Sequence, residues 1–272
     1  MKGWKKRHNE IREQGVGQTG KRVFLVEGLD DEKAFRLLFN KKLGAEWEQK
    51  WLLTNAGNKQ CVQDILKVEP EWLGLVDRDE WGEEALNEVQ QQMPNLLVLP
   101  RFCMESYLIV PDEIWGALPE IQKHKISGGL STLQKEILID LDKWVRHGVL
   151  WSVINPMWSG IRSLGFQEEL LDWDTAQDNT AIQVKLRQWH DFLEPKAIFQ
   201  RFLERLSEIS KHNDAEKLKL WVHGKHFWEK QVHLTLNKLL GQMSESERVL
   251  ALWNTLLVPD DWEPIWKKIA DS

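Results

Sequence analysis

Val23-Phe24-Leu25-Val26, followed at once by Glu27-Gly28, is the stretch that decides the fold. A short apolar run stopped by an acid and a glycine reads as a buried strand reaching its turn. Working outward, Asp30-Asp31-Glu32 opens a helical pattern whose apolar side is Ala34, Phe35, Leu37, Leu38 and Leu43, and Gly44 closes it. Acids at the start of a helix suit its dipole. Trp51-Leu52-Leu53-Thr54 leads through Asn55-Ala56-Gly57 into a second helical pattern carrying Val62, Ile65, Leu66 and Val68. Trp72-Leu73-Gly74-Leu75-Val76 runs into Asp77, residues 83–93 follow as helix, and Leu96-Leu97-Val98-Leu99 ends at Pro100. Strands alternating with helices specify a parallel sheet covered on both faces.

From about Pro111 the strand signal fades. Amphipathic helices are expected near 112–118, 131–147, 178–193, 196–210, 214–222, 226–241 and 245–257, the last opened by a Ser244/Glu247 capping box. Pro156, Gly160 and Gly165 break the stretch 148–177, which gives no clear element. The expected class is α/β: a four-stranded parallel sheet flanked by helices, then a mainly α-helical C-terminal region. The expected divisions are a basic arm over 1–22, an α/β domain over 23–115 and a helical domain over 116–272.

Composition narrows the function. With 42% hydrophobic and 29% charged residues and a mean hydropathy of -0.46, the chain belongs with soluble globular proteins. No apolar run approaches the roughly 18 residues of a membrane span, and Met1–Glu10 lacks the core of a signal peptide. A cytoplasmic protein with no membrane partner is the expectation. Cys61 and Cys103 are too few and too far apart for a zinc ribbon or a disulfide framework. The net charge of -6 confines any nucleic-acid contact to local patches. Residues 1–22 are such a patch, seven cations against Glu10 and Glu13, and read equally well as a solvated lead-in helix. The 16 Trp beside a single Tyr read first as packing residues of the helical half.

The acids carry the chemistry. In a parallel sheet the carboxyl ends of the strands lie along one edge, and ligands bind outside it. Glu27 and Asp77 sit there, and an extended Asp77-Arg78-Asp79 would point both of its carboxylates the same way. Two carboxylates about 4 Å apart at an effective dielectric near 20 repel by roughly 4 kcal/mol, or about three pKa units. A divalent cation shared by Glu27, Asp77 and Asp79 removes that penalty, and hard oxygen ligands without His or Cys favour Mg²⁺ or Mn²⁺. Lys59, at the start of the second helix, is either a substrate-phosphate contact or a solvated turn residue.

These residues resemble a known family. Val26-Glu27-Gly28 with Asp31, and Val76-Asp77-Arg78-Asp79 after an apolar strand, are similar to the TOPRIM signature of primases, topoisomerases and OLD-type nucleases. Arg101 with Met104-Glu105-Ser106-Tyr107-Leu108 resembles the Arg…Glu-Asn-Tyr-Leu element of a bacterial TOPRIM family, with Ser106 departing from its usual Asn. His223-Gly224-Lys225 resembles that family's C-terminal His/Asn-Gly-Lys element. The resemblance covers residues 23–110 and, beyond them, that short motif alone. It implies a TOPRIM-like sheet in which Glu27 is the general acid or base and Asp77 and Asp79 carry Mg²⁺. Asp31 is then either a further metal carboxylate or a helix N-terminal charge, and Glu105 completes the site. Arg101 either neutralises a phosphate or pairs with Glu105. Lys225 becomes a transition-state cation, with His223 beside it as a substrate contact.

The single Tyr107 and the chain length argue against a topoisomerase, and the cysteine count against a bacterial primase. An Asp-x-Asp phosphatase is a poorer fit, since Trp81 stands where Thr or Val is expected and Glu27 has no task. No Gly-x-x-x-x-Gly-Lys-Ser/Thr loop is present, so ATP hydrolysis would need another chain. The resemblance accordingly implies a Mg²⁺-dependent nuclease, with RNA, including transfer RNA, ahead of DNA. It would be the effector of a bacterial defence against phage, held by an ABC-type ATPase partner, with a homodimer left open. The alternative is a non-catalytic TOPRIM module that binds nucleic acid or the ATPase.

Overall fold

The four apolar runs form one sheet. The computed structural model describes residues 3–16, 19–166 and 172–272; Lys2 of the basic arm and residues 167–171 of the unreadable stretch lie outside it. A first helix, α1 (Gly3–Ile11), precedes β1 (Arg22–Val26). Then come α2 (Leu29–Leu43), β2 (Trp51–Asn55), α3 (Lys59–Leu66), β3 (Leu73–Val76), α4 (Glu83–Gln92) and β4 (Leu96–Val98). The strand order is β2-β1-β3-β4 and every pair is parallel. β1 and β3 are therefore neighbours although the chain visits β2 between them, and the winding reverses at that point.

Both faces of the sheet are covered, because β1 and β3 bury every residue from Val23 to Val26 and from Leu73 to Val76. On one face Val23, Leu25 and Val76 pack with Val62, Ile65 and Leu66 of α3 and with Ile11 of α1. Gly74 is required here: a Cβ would lie 2.7 Å from both Leu66 Cδ1 and Val62 Cγ1. On the other face Phe24 meets Phe35 and Phe39 of α2, and these rings meet Trp262 at 4.9 Å and Trp266 at 5.4 Å. Each such ring, fully buried, contributes roughly 2 to 3 kcal/mol.

That aromatic layer explains how the chain divides. One compact unit comprises Met1–Ile139 with Gly224–Ser272, and the other is Asp140–His223. A boundary near 115 thus falls inside the first unit, whose last helices, Glu245–Thr255 and Glu263–Asp271, bring Trp253 and Trp266 to the sheet side. The Ser244/Glu247 capping box opens the former, Ser244 Oγ accepting from Glu247 N and Glu247 Oε2 from Ser244 N.

The basic N-terminus is a packed helix. Arg7 donates from Nε to Asn55 O and from Nη2 to Thr54 Oγ1, both at 2.9 Å. His8 and Arg12 converge on Glu69, with Arg12 Nη2 2.7 Å from Glu69 Oε2. Ile11 is buried. Two cations of the proposed nucleic-acid patch, Arg7 and Arg12, therefore serve the fold.

The second unit corrects the reading of 148–177. A 23-residue helix, Leu141–Ser163, runs straight through Gly148, Pro156 and Gly160. Proline removes the N–H that would have bonded the carbonyl four residues earlier, Ser152. Arg205, on the helix Pro195–Ile209, donates from Nη1 to that Ser152 O at 2.8 Å and to Ser152 Oγ at 2.7 Å. The glycines admit neighbours rather than turns: a Cβ on Gly148 would strike the Trp221 carbonyl, and one on Gly160 the Phe192 ring. Among the described residues no helix is long and apolar enough to cross a membrane.

Candidate active site

Where the winding of an open parallel sheet reverses, the crevice outside the strand ends is the usual ligand site. Glu27 is the residue after β1 and Asp77 the residue after β3. The register pairs Phe24 with Leu73 and Leu25 with Gly74, so the two acids leave the sheet side by side. Glu27 Oε1 accepts a hydrogen bond from Asp77 N at 2.8 Å. Asp31, one turn into α2, lines the same cavity of about 10 Å³ as Glu27 and Asp77. That is close to the roughly 10–15 Å³ needed for one water.

Asp31 caps its helix and also faces the cavity. Its Oδ2 accepts from Gly28 N at 2.8 Å, fastening the start of α2, while its carboxyl faces the shared cavity. Asp77 is 5% exposed; its Oδ1 accepts from Met104 N at 3.2 Å and its Oδ2 from Lys225 Nζ at 3.4 Å.

Asp79 arrives by a different route from the one the sequence suggested. β3 ends at Val76, and Asp79 adopts φ 51°, a left-handed conformation that Asp tolerates better than most residues. Period-two alternation therefore does not aim its carboxylate. Instead Asp79 N donates to Phe102 O at 2.7 Å, and Asp79 Oδ2 accepts from Lys59 Nζ at 2.5 Å. Lys59 also sits 4.2 Å above the Trp81 ring.

Lys225 and Glu105 come together from distant parts of the chain. Glu105 lies on the short 3-10 turn Met104–Tyr107, and Lys225 on the single helical turn Gly224–Phe227. These turns dock closely, since a Cβ on Gly224 would lie 2.6 Å from Cys103 Sγ, 2.9 Å from Ser106 Oγ and 3.0 Å from Ser106 N. Ser106, fully buried, donates from its N to Cys103 O at 3.0 Å. Gly224 is a positioning residue that sequence reading noticed only as the middle of a motif.

The electrostatics are those of a charge-strained cluster. Burial lifts the Glu27 carboxyl above the usual range, with Lys59 pulling the other way. Burial likewise raises Asp31, opposed by the hydrogen bond from Gly28, and Glu105, opposed by Lys225. Asp77 is pushed well above the usual range, by burial first and then by Asp31, despite Lys225. Burial alone would lower Lys225, but Asp77, Glu105 and Asp31 outweigh it and hold the ammonium charged.

Two expected substrate contacts have other partners. Arg101 is 4% exposed and is consumed by a bidentate pair with Glu113 (2.6 and 2.9 Å), a bond to Asp261 (2.8 Å) and the Tyr107 ring (4.0 Å). Its partners are Glu113 and Asp261 rather than Glu105, and it ties the turn after β4 to the C-terminal segment. His223 belongs to the other unit, where its ring meets Trp151 edge-on at 4.8 Å. Tyr107 is fully buried beneath Trp253 and Trp262.

The donor set suits a hard divalent cation, because it offers only carboxylate oxygens and leaves buried Glu105 Oε2 without a hydrogen bond. As they stand, no three His, Cys, Asp or Glu side chains among the described residues form a group ready to hold an ion. The reason is visible in the partners: Lys59 holds Asp79, Lys225 approaches Asp77, and Glu27 and Asp31 each spend an oxygen on a backbone N–H. Two lysines thus supply positive charge to an acidic site. Compared with protein-family models and with curated proteins, the chain matches none.

Proposed function

We propose that this chain is a TOPRIM-type, Mg²⁺-dependent nuclease that cleaves nucleic-acid phosphodiesters, RNA in preference to DNA. The observation that carries the reading is the meeting of Glu27, Asp31 and Asp77 at one cavity, outside the adjacent ends of β1 and β3. Asp77 and Asp79, with Asp31, would hold the ion. Bound there, it would stabilise charge on the scissile phosphate and lower the pKa of a water.

The chain's own groups do the rest. Glu27, lifted toward neutrality by burial, takes and returns a proton. Lys225, kept charged by its acidic neighbours, brings a cation to the developing negative charge. Lys59 exchanges Asp79 for a substrate phosphate. The RNA preference and the role as a phage-defence effector rest on the family resemblance, and the ABC-type ATPase partner on that resemblance together with the missing phosphate-binding loop.

The test is cleavage of labelled transfer RNA, single-stranded DNA and duplex DNA, each with Mg²⁺ or EDTA, by wild type and Glu27→Ala. Mg²⁺-dependent cleavage that Glu27→Ala abolishes while melting as a folded protein is the expected result. Wild-type-like cleavage by the variant removes Glu27 from the mechanism. The lysine pairing of Asp77 and Asp79 also fits a non-catalytic binding module; a biological effect that persists in EDTA selects that reading.

A further inference from the structure

A second, larger cavity of about 690 Å³ shares Asp31 and Glu105 with the carboxylate cluster. Its apolar lining includes Leu37 of α2, Leu108, Trp228, Leu250 and Trp253. Its polar lining is acidic: Asp30, Asp31, Glu105, Glu245 and Glu247 against the single cation Lys33. Pockets of roughly 300–1,000 Å³ with apolar walls and a few polar groups are the usual size and character for a bound small molecule or nucleoside. Carboxylates repel phosphate, so the occupant is a flat apolar body whose edge donates hydrogen bonds.

Two lining residues each carry a buried polar atom without a hydrogen-bond partner: Glu105 Oε2, an acceptor, and Trp228 Nε1, a donor. Unpaired buried groups are costly, and a ligand that pairs them recovers that cost. One nucleobase matches the set. Guanine presents an acceptor, O6, beside two adjacent donors, N1–H and N2–H₂, and a carboxylate takes both donors at once. Adenine and cytosine offer one amine beside ring acceptors, and uracil one N–H between two carbonyls.

We propose that this cavity is a base-binding subsite that takes a guanine neighbouring the cleaved phosphodiester. The Watson–Crick edge meets Glu105, and the ring packs among Leu37, Trp228 and Leu250. Cleavage beside the base rests on the nuclease reading; recognition of the base does not.

The experiment is ligand-observed saturation-transfer NMR on the intact chain in EDTA, with guanosine, inosine, adenosine, cytidine and uridine as probes. Guanosine is expected to bind most tightly, and inosine, which lacks only the exocyclic amine, about tenfold or more weakly, as for loss of a hydrogen bond to a charged group. Glu105→Gln shrinks the guanosine-to-inosine ratio. Leu250→Trp, at a site 50% exposed, fills the cavity and abolishes binding while its melting curve shows that it folds. Equal binding of all five nucleosides, guanosine binding that survives Leu250→Trp, or binding of arginine amide in place of guanosine overturns the proposal. A chain that binds guanosine in this way yet cleaves no nucleic acid refutes the nuclease reading alone.

Discussion

Gly224→Ala tests whether Lys225 owes its place to a close backbone contact. The added Cβ would lie 2.6 Å from Cys103 Sγ, 2.9 Å from Ser106 Oγ and 3.0 Å from Ser106 N. Ordinary contacts fall at about 3.5–4.0 Å, so the turn Gly224–Phe227 must withdraw by about 1 Å. Overpacking of this kind costs about 1–3 kcal/mol. At about 2–4 °C per kcal/mol for a chain of this size class, the melting temperature falls by about 2 to 12 °C. Lys225 Nζ, now 3.4 Å from Asp77 Oδ2, would move beyond ion-pair distance. Because the Lys225 side chain is 52% exposed, solvent screens most of that loss, and its direct stability cost is under about 1 kcal/mol. Catalysis is more sensitive to position: a displacement near 1 Å can cost about 100-fold. Calorimetry and cleavage assays would follow both effects. Adding Cys103→Ala and Ser106→Ala removes two of the three contacts and should restore much of the melting temperature. A Gly224→Ala protein that melts and cleaves like wild type, or one that those two changes leave unrelieved, refutes the reasoning.

Two further expectations follow from the charges. Glu27, Asp31, Asp77 and Glu105 all hold raised pKa values through burial, so the folded chain keeps protons that the unfolded chain has lost above about pH 4. Their contribution to stability is therefore greatest below the ordinary carboxylate range and is lost as pH rises through the raised values. In EDTA the stability advantage of Asp77→Asn over wild type should grow as pH rises from about 5 to 8, and Mg²⁺ should stabilise wild type more at the higher pH; an advantage that shrinks over that window contradicts the assignment. Arg101→Ala strands Glu113 and Asp261 beside a buried position and should cost about 3–5 kcal/mol in denaturant unfolding. If Arg101 held substrate instead, the variant would keep its stability and lose affinity for nucleic acid.

How far the molecule was legible depends on the range of the interaction. The strands at 22–26, 51–55, 73–76 and 96–98 were readable because a strand buried on both faces must be an unbroken apolar run. The same rule put Glu27 and Asp77 at one edge of the sheet, since parallel strands share their carboxyl ends. The Ser244/Glu247 cap was equally local, its partners standing within one helical turn.

What only the tertiary structure decided are matters of which distant group answers a local fault. Pro156 looked like a helix break, and its orphaned Ser152 carbonyl is satisfied by Arg205, 53 residues away. Asp79 looked extended, but its left-handed turn is held by Phe102 and Lys59. Arg101 looked available for phosphate until Asp261, 160 residues on, took one of its nitrogens. By itself the sequence determined the sheet and the acids at its edge, because periodicity and strand ends are properties of neighbouring residues. The pairing of charges, the docking of Gly224 and the joining of the last helices to the sheet required the folded chain, because a buried charge or cavity is matched by whatever packing brings near.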